Sequence, residues 1–419
     1  MKVLMMGWEF PPYNIGGLGT ACHGIVKGLS KHDVDVLFLL PQIPYYKESC
    51  IKGLSLIGVN NIDLAPGKVK VKRMDAILVP YFDPSTWEEE KHKYFIYEKD
   101  NTLKPLTLYG KDIFNQIQKY AEQCEKVALA EDFDIIHAHD WMTFAAGVRA
   151  KEASGKPLVI HVHATEFDRT GGHPNQQIYD TERWGMHTAD KIISVSNFTK
   201  GMIVQHYGID PAKVEVVHNA VDKDNYVETV YEFNRLREKF KIVLFLGRIT
   251  IQKGPDWFLH IAARILHERK DVMFVFVGTG DMENRIIEQA ATMGIANHII
   301  FAGHIPYNFI DKVYQVADIY IMPSISEPFG ITPLEAMKNK IPTIISKQSG
   351  VAEVVNNCVK LDFWDCEKIA KEAIKILNNP ELKERLVNGA LEEVNNLNWD
   401  DSAAKCITVY NNVLRDSSW

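Results

Sequence analysis

The sequence predicts an α/β protein made of two doubly wound parallel sheets, each covered by helices on both faces, facing each other across a cleft. Three observations predict it. Short, continuous apolar, β-rich runs alternate with helical patterns along most of the chain, as expected for strands buried on both faces. The 419 residues are more than one core ordinarily holds. A polar, charged stretch, "NAVDKDNYVETVYEFNRLREKFK", interrupts the alternation between Asn219 and Lys241. It separates two sets of strands and sets expected domains at residues 1–222 and 223–400. Open parallel sheets bind ligands at the carboxyl ends of their strands, so two facing sheets would share one site.

The expected strands of the first set are "KVLMMG", "VDVLFLL", "FDIIHAH", "KPLVIHVH", "KIISVS" and "VEVVHN". Those of the second are "KIVLFLG", "VMFVFVG", "HIIFAG", "DIYIMPS" and "PTIISK". The segment from about Pro41 to Lys111 departs from this pattern. It carries Tyr45, Tyr46, Tyr81, Phe82, Trp87, Tyr94, Phe95 and Tyr97. Such rings can stack on sugars, but an insertion packing its own small core is the stronger reading. Near the end, "NPELKERLVNGALEEVNNLNWDDSAAKCITVYNNVL" reads as two helices, the last capped by Asp400 or Asp401.

Composition narrows the function. Forty-seven basic against 54 acidic residues give a net charge of -7. With no basic tract, nucleic acid is not an expected partner. Cys22, Cys50, Cys124, Cys358, Cys366 and Cys406 are scattered without a C-x-x-C pair. A disulfide framework or zinc knot is not expected, and free thiols fit a reducing cytoplasm. The apolar run of "MKVLMMGWEF" is short for a signal peptide and is broken by Glu9. No run approaches the ~20 apolar residues of a membrane span, so a soluble, cytoplasmic protein is expected.

Four motifs carry chemistry. In "SEPFGITPLEAM", Glu327 and Glu335 follow the strand "DIYIMPS". Thr332 as N-cap, Pro333 as first helical residue and Glu335 as third would form a capping box. Strand, tight loop and helix start also form an anion site, and Gly330 lets a ligand approach the backbone. The two carboxylates there suit sugar hydroxyls rather than phosphates. In "GRITIQKG", Arg248 and Lys253 sit at a strand end, a fork and a point charge for phosphate oxygens; as residue types alone, they are also ordinary surface cations. In "YNIGGLGTACHGIVKGL", Gly16, Gly17 and Gly19 precede an amphipathic helix without the dinucleotide-binding spacing. "GTGDME" at Gly278 lacks that spacing too and can simply turn the chain. "HAHDW" and "HVHATE" bring His137, His139, Asp140, His161, His163 and Glu166. Each histidine pair shares a strand face. The pairs could hold a metal in a hydrolase, or His137 and His161 could be buried and hydrogen-bonded while His139 and His163 reach the cleft.

Together these motifs resemble the GT-B retaining glycosyltransferases over nearly the whole chain. "WEFPP", "GGLG" and "HAHDW" look like glycogen and starch synthases. "GRITIQKG" and "SEPFGITPLEA" look like the family of sucrose and sucrose-phosphate synthases and mannosyltransferases. The resemblance implies two Rossmann-like domains, with the last helix, 401–419, packed back on the first. It implies that Arg248 and Lys253 hold a donor diphosphate, that Glu335 binds the ribose and that Glu327 meets the donor sugar. His163 would contact the transferring sugar, with Asp140 nearby. Gly17, Gly330, Ile331 and Thr332 would line the donor. The implied reaction is metal-independent transfer of a hexose, glucose foremost, from ADP- or UDP-glucose to a carbohydrate acceptor, an α-glucan foremost. A lipid, protein or surface polysaccharide is the alternative acceptor. No cofactor is implied. Two departures stand out: Asn14 replaces the lysine of the glycogen synthases' Lys-x-Gly-Gly-Leu, and Glu335 supplies a second glutamate that bacterial-type synthases lack.

Overall fold

A computed structural model describes residues 1–11, 17–41, 51–58, 113–222, 237–305 and 309–416, with the backbone of four short strands at 62–65, 68–71, 95–97 and 103–105. Asn14, Gly16, Cys50 and most of the aromatic segment lie outside the described residues.

The first domain contains β1 (Lys2–Met6), β2 (Asp35–Leu40) and β3 (Leu54–Gly58). Two antiparallel pairs follow, β4 (Ile62–Ala65) with β5 (Lys68–Val71) and β6 (Phe95–Tyr97) with β7 (Leu103–Pro105). Then come β8 (Ile135–His139), β9 (Leu158–Val162), β10 (Lys191–Ser194) and β11 (Val214–Val216). The second domain has β12 (Lys241–Leu246), β13 (Val272–Val277), β14 (Ile299–Phe301), β15 (Ile319–Met322), β16 (Thr343–Ser346) and β17 (Val359–Leu361). The parallel sheets run β11-β10-β9-β8-β1-β2-β3 and β14-β13-β12-β15-β16-β17. The chain reverses its direction of travel between β1 and β8 and between β12 and β15. Those are the switch points where such sheets open a crevice. The expected strands are all present. β3 and β17, short edge strands of mixed polarity, went unpredicted.

The helices of the first domain are α1 (Gly17–Lys31), α2 (Ile113–Ala130), α3 (Trp141–Ser154), α4 (Glu166–Arg169), α5 (Gln176–Thr188) and α6 (Asn197–Tyr207). Those that follow are α7 (Pro255–Glu268), α8 (Glu283–Thr292), α9 (Ile310–Val316), α10 (Ile331–Lys338), α11 (Cys366–Asn378), α12 (Pro380–Asn396) and α13 (Trp399–Asp416). Alternation along β1 shows why helices are needed on both faces. Leu4 and Met6 enter one core with Tyr120 of α2 and Phe144 of α3. Val3 and Met5 enter another with Ile25 of α1 and Tyr410 of α13. Thus α13 returns to the first sheet. It comes so close to α1 that a Cβ on Gly24 would lie 2.2 Å from the Trp399 ring and one on Gly28 2.5 Å from the Trp399 carbonyl. The last helix is capped by Asn398, whose Oδ1 accepts from the Asp401 amide at 2.9 Å. Asp400 and Asp401 therefore occupy the first turn rather than the cap.

Candidate active site

The carboxyl ends of both sheets open onto a cleft of about 700 Å³. The ten residues that the resemblance assigned to the site all border it: Gly17, Asp140, His163, Arg248, Lys253, Glu327, Gly330, Ile331, Thr332 and Glu335. The first turn of α1 and that of α10 both reach this cleft, Gly17 across from Ile331. Two helix N-termini thus direct backbone amides and positive potential into one space.

On the second domain's wall, β12 ends at Leu246 and leads through Arg248 to a short 3-10 turn, Ile251–Lys253. The backbone here is tight. A Cβ on Gly278, at φ 125°, would fall 2.1 Å from the Gly247 carbonyl, so glycine lets the two strand ends close on each other. Gly278 therefore shapes the cleft rather than merely turning the chain. Lys253 Nζ donates to Glu327 Oε2 at 2.5 Å, and Ser324 Oγ donates to the same oxygen at 3.1 Å. Glu327 is 5% exposed. Its amide donates to the Gln348 carbonyl, and its own carbonyl accepts from Gly350. A loop glutamate is normally solvated; this one is pinned at both backbone and side chain.

The helix after Glu327 starts earlier than the sequence suggested. Gly330, at φ 101°, is the N-cap of α10, so Thr332 and Pro333 lie inside the helix. Glycine wins the cap because a positive φ is needed there. The capping box is therefore not formed. Thr332 Oγ1 instead accepts from Tyr320 at 2.9 Å, and Glu335 accepts from the Tyr314 hydroxyl at 3.0 Å. Burial pushes the Glu335 carboxyl up to about 7, with the Tyr314 bond opposing it.

On the first domain's wall, β8, β9 and the residue after β9 carry four near-stacked imidazoles. His139 Nδ1 lies 2.9 Å from His163 Nε2, and His137 Nδ1 lies 2.7 Å from the Tyr410 hydroxyl. His137, His139 and His161 are fully buried. Of the four, only His163 borders the cleft; His139, also expected to reach it, is closed off behind His163. The expectation that His161 is hydrogen-bonded fails: neither of its ring nitrogens has a partner among the described residues. Burial holds all four imidazoles neutral, His137 down to about 3. Asp140, at φ 59°, takes a backbone conformation rare outside glycine. Its Oδ1 accepts from the His163 amide at 2.7 Å and fixes the turn that presents His163.

Nitrogens of His137, His139 and His161 lie within 4.8 Å of one another. The rings of His137 and His161 are 9° from parallel, and those of His139 and His161 27°. Lone pairs lie in ring planes, and near-parallel stacked planes do not converge on one tetrahedral ion.

Residues 86–225 match the family described as Glycosyltransferase Family 4, and residues 228–393 match Glycosyl transferases group 1. The chain is a GT-B glycosyltransferase. An uncharacterized glycosyltransferase of Methanocaldococcus jannaschii is 28% identical over 98% of both chains. A glycogen synthase of Mycobacterium tuberculosis is 23% identical over 98% of this chain and 94% of its own. A solved sucrose-phosphate synthase from Thermosynechococcus elongatus superposes with a TM-score of 0.74 at 15% identity, each chain covered to 99%, which shows the shared fold. In this glycosyltransferase the cleft also takes in residues the motif analysis did not single out, Glu9, Arg169, Asn219 and His304. Glu9 had a readable signal, a carboxylate within an apolar run. Arg169 had none: its guanidinium is held by Glu166 at 2.9 Å and by Glu182, on another helix. Among the described residues, no helix is long and apolar enough to cross a membrane.

Proposed function

We propose that this glycosyltransferase moves a hexose, with retention, from a nucleoside diphosphate sugar to an acceptor hydroxyl, and that its acceptor is an α-glucan. The observation that carries the donor reading is the grouping of Arg248, Lys253 and two helix N-termini on one cleft that also holds Glu327 and Glu335. A nucleotide sugar is already activated. The enzyme's task is to stabilise the departing diphosphate and a cation-like sugar. Fixed positive potential from Arg248, Lys253 and the amides at Gly330 would meet the charge as it develops. That work needs no metal or other cofactor. ADP- or UDP-glucose fits these groups.

Glu335, beside the start of α10, would accept from the ribose hydroxyls. Glu327 would bind sugar hydroxyls while holding Lys253 in place. His163, neutral and turned into the cleft, would hydrogen-bond the transferring sugar. The acceptor would enter on the face from which the diphosphate leaves, and the leaving phosphate would take its proton.

The α-glucan reading is supported by the full-length similarity to a glycogen synthase. A second acceptor reading, a small molecule or surface glycan, is supported by similarity to D-inositol 3-phosphate glycosyltransferases over about two thirds of the chain. The hydrolase reading draws no support from the near-parallel imidazoles, three of which are closed off from the cleft. A panel of ADP-, UDP- and GDP-sugars, assayed with and without glycogen, tests the proposal. Glucose incorporation into glycogen from one donor is the expected result. Turnover that glycogen does not stimulate would remove the α-glucan assignment.

A further inference from the structure

We infer that Asp168 and Ser326 form a positioning pair that couples apposition of the two domains to the placing of Glu327. This rests on the donor reading above and adds how the first domain controls the donor wall. Neither residue borders the cleft; each acts through a neighbour.

Asp168 is fully buried. Its Oδ2 is occupied inside the first domain, accepting from the Thr165 amide at 2.7 Å and the Thr165 hydroxyl at 2.8 Å. Its Oδ1 faces the second domain and accepts from Ser326 Oγ at 2.5 Å. Without that partner, one oxygen of a buried carboxylate would lose its bond at the interface. Thr165 lies two residues after His163, and Ser326 immediately precedes Glu327.

The other neighbour of Glu327 is held in the same way. The Pro328 carbonyl accepts from Ser196 Oγ at 2.5 Å and from Thr199 Oγ1 at 3.1 Å, both on the first domain. Both chain neighbours of Glu327 are thus bonded to the opposite domain. These bonds form only when the domains meet. The donor wall is therefore complete only in the apposed state, where an acceptor can be present. A donor bound to separated domains would meet a Glu327 held by its own domain's bonds alone.

Ser326→Ala tests this without touching Asp168 or its bonds to Thr165. The variant is expected to lose about 10-fold or more in kcat, while its Kd for UDP or ADP by calorimetry stays within about 3-fold. Its radius of gyration by small-angle scattering should exceed that of the wild type, with and without nucleotide. Ser326→Thr, which keeps the hydroxyl, should restore most of kcat. A Ser326→Ala variant with wild-type kcat and wild-type scattering overturns the coupling. So does a loss that appears equally in kcat and in nucleotide affinity, which would make Ser326 only a local support of the donor site. Failure of the wild type to bind either nucleotide would count instead against the donor reading; a scattering difference between the nucleotide-free proteins would still report the coupling.

Discussion

The cleft's second-domain wall is rich in charge, and much of that charge is paired: Lys253 with Glu327, with Arg248 beside them. The wall contributed by the first domain is held by neutral imidazoles, stacked and shut away except for His163. On the donor reading proposed above, the second-domain wall meets the negative charge that develops and departs. Besides the side chains of Glu9, Asp140 and Arg169, the other brings one neutral imidazole, His163, to the cleft. On that reading, the contrast teaches that stabilising the leaving group falls to the second domain, and contact with the sugar through a neutral imidazole to the first. Domain apposition then becomes part of assembling the site.

Lys253→Ala attacks the charged wall directly. Turnover at saturating donor should fall by about 10²-fold or more, as when one oxyanion-site donor is removed. Wild-type turnover in that variant would break the division of labour. Glu335→Gln sharpens the comparison within the same wall. Because the Glu335 carboxyl is raised to about 7 from an ordinary 4.5, the folded state holds its proton more tightly than the unfolded chain. The stability it contributes is complete below about pH 4.5 and is lost as pH rises through about 7. Glu335→Gln should therefore be stabilised relative to wild type at pH 8, by on the order of 1–3 kcal/mol, and not at pH 4.5. Denaturant titrations at the two pH values measure it. An equal difference at both would show that the carboxyl's ionisation is not the cause.

The smallest expected effect lies behind the neutral wall. Tyr410→Phe removes the partner of His137 Nδ1 and should cost about 1–2 kcal/mol of stability. Since Tyr410 does not border the cleft, kcat should stay within about 2-fold. A large loss of kcat would mean that the buried imidazoles act as a chain, not as packing.

Much of this was legible because it is local. The strand runs are continuous in sequence, and Glu327 and Glu335 lie on one loop and helix. What stayed hidden depends on partners far along the chain. The Tyr314 hydroxyl that meets Glu335 is 21 residues away, and the Ser326 hydroxyl that meets Asp168 is 158 away. The helix start was misplaced because Thr332-Pro333 carries a good local cap signal. Only the left-handed turn at Gly330 moves the start back. His161 misled for a related reason: pattern shows which face a side chain takes, not whether a partner waits there.

The most direct measurement is a crystal structure of the protein with UDP or ADP. The diphosphate should lie within hydrogen-bond reach of Arg248 and Lys253, with the ribose hydroxyls on Glu335. A nucleotide seated elsewhere, with those three side chains untouched, would contradict the assignment of the donor wall.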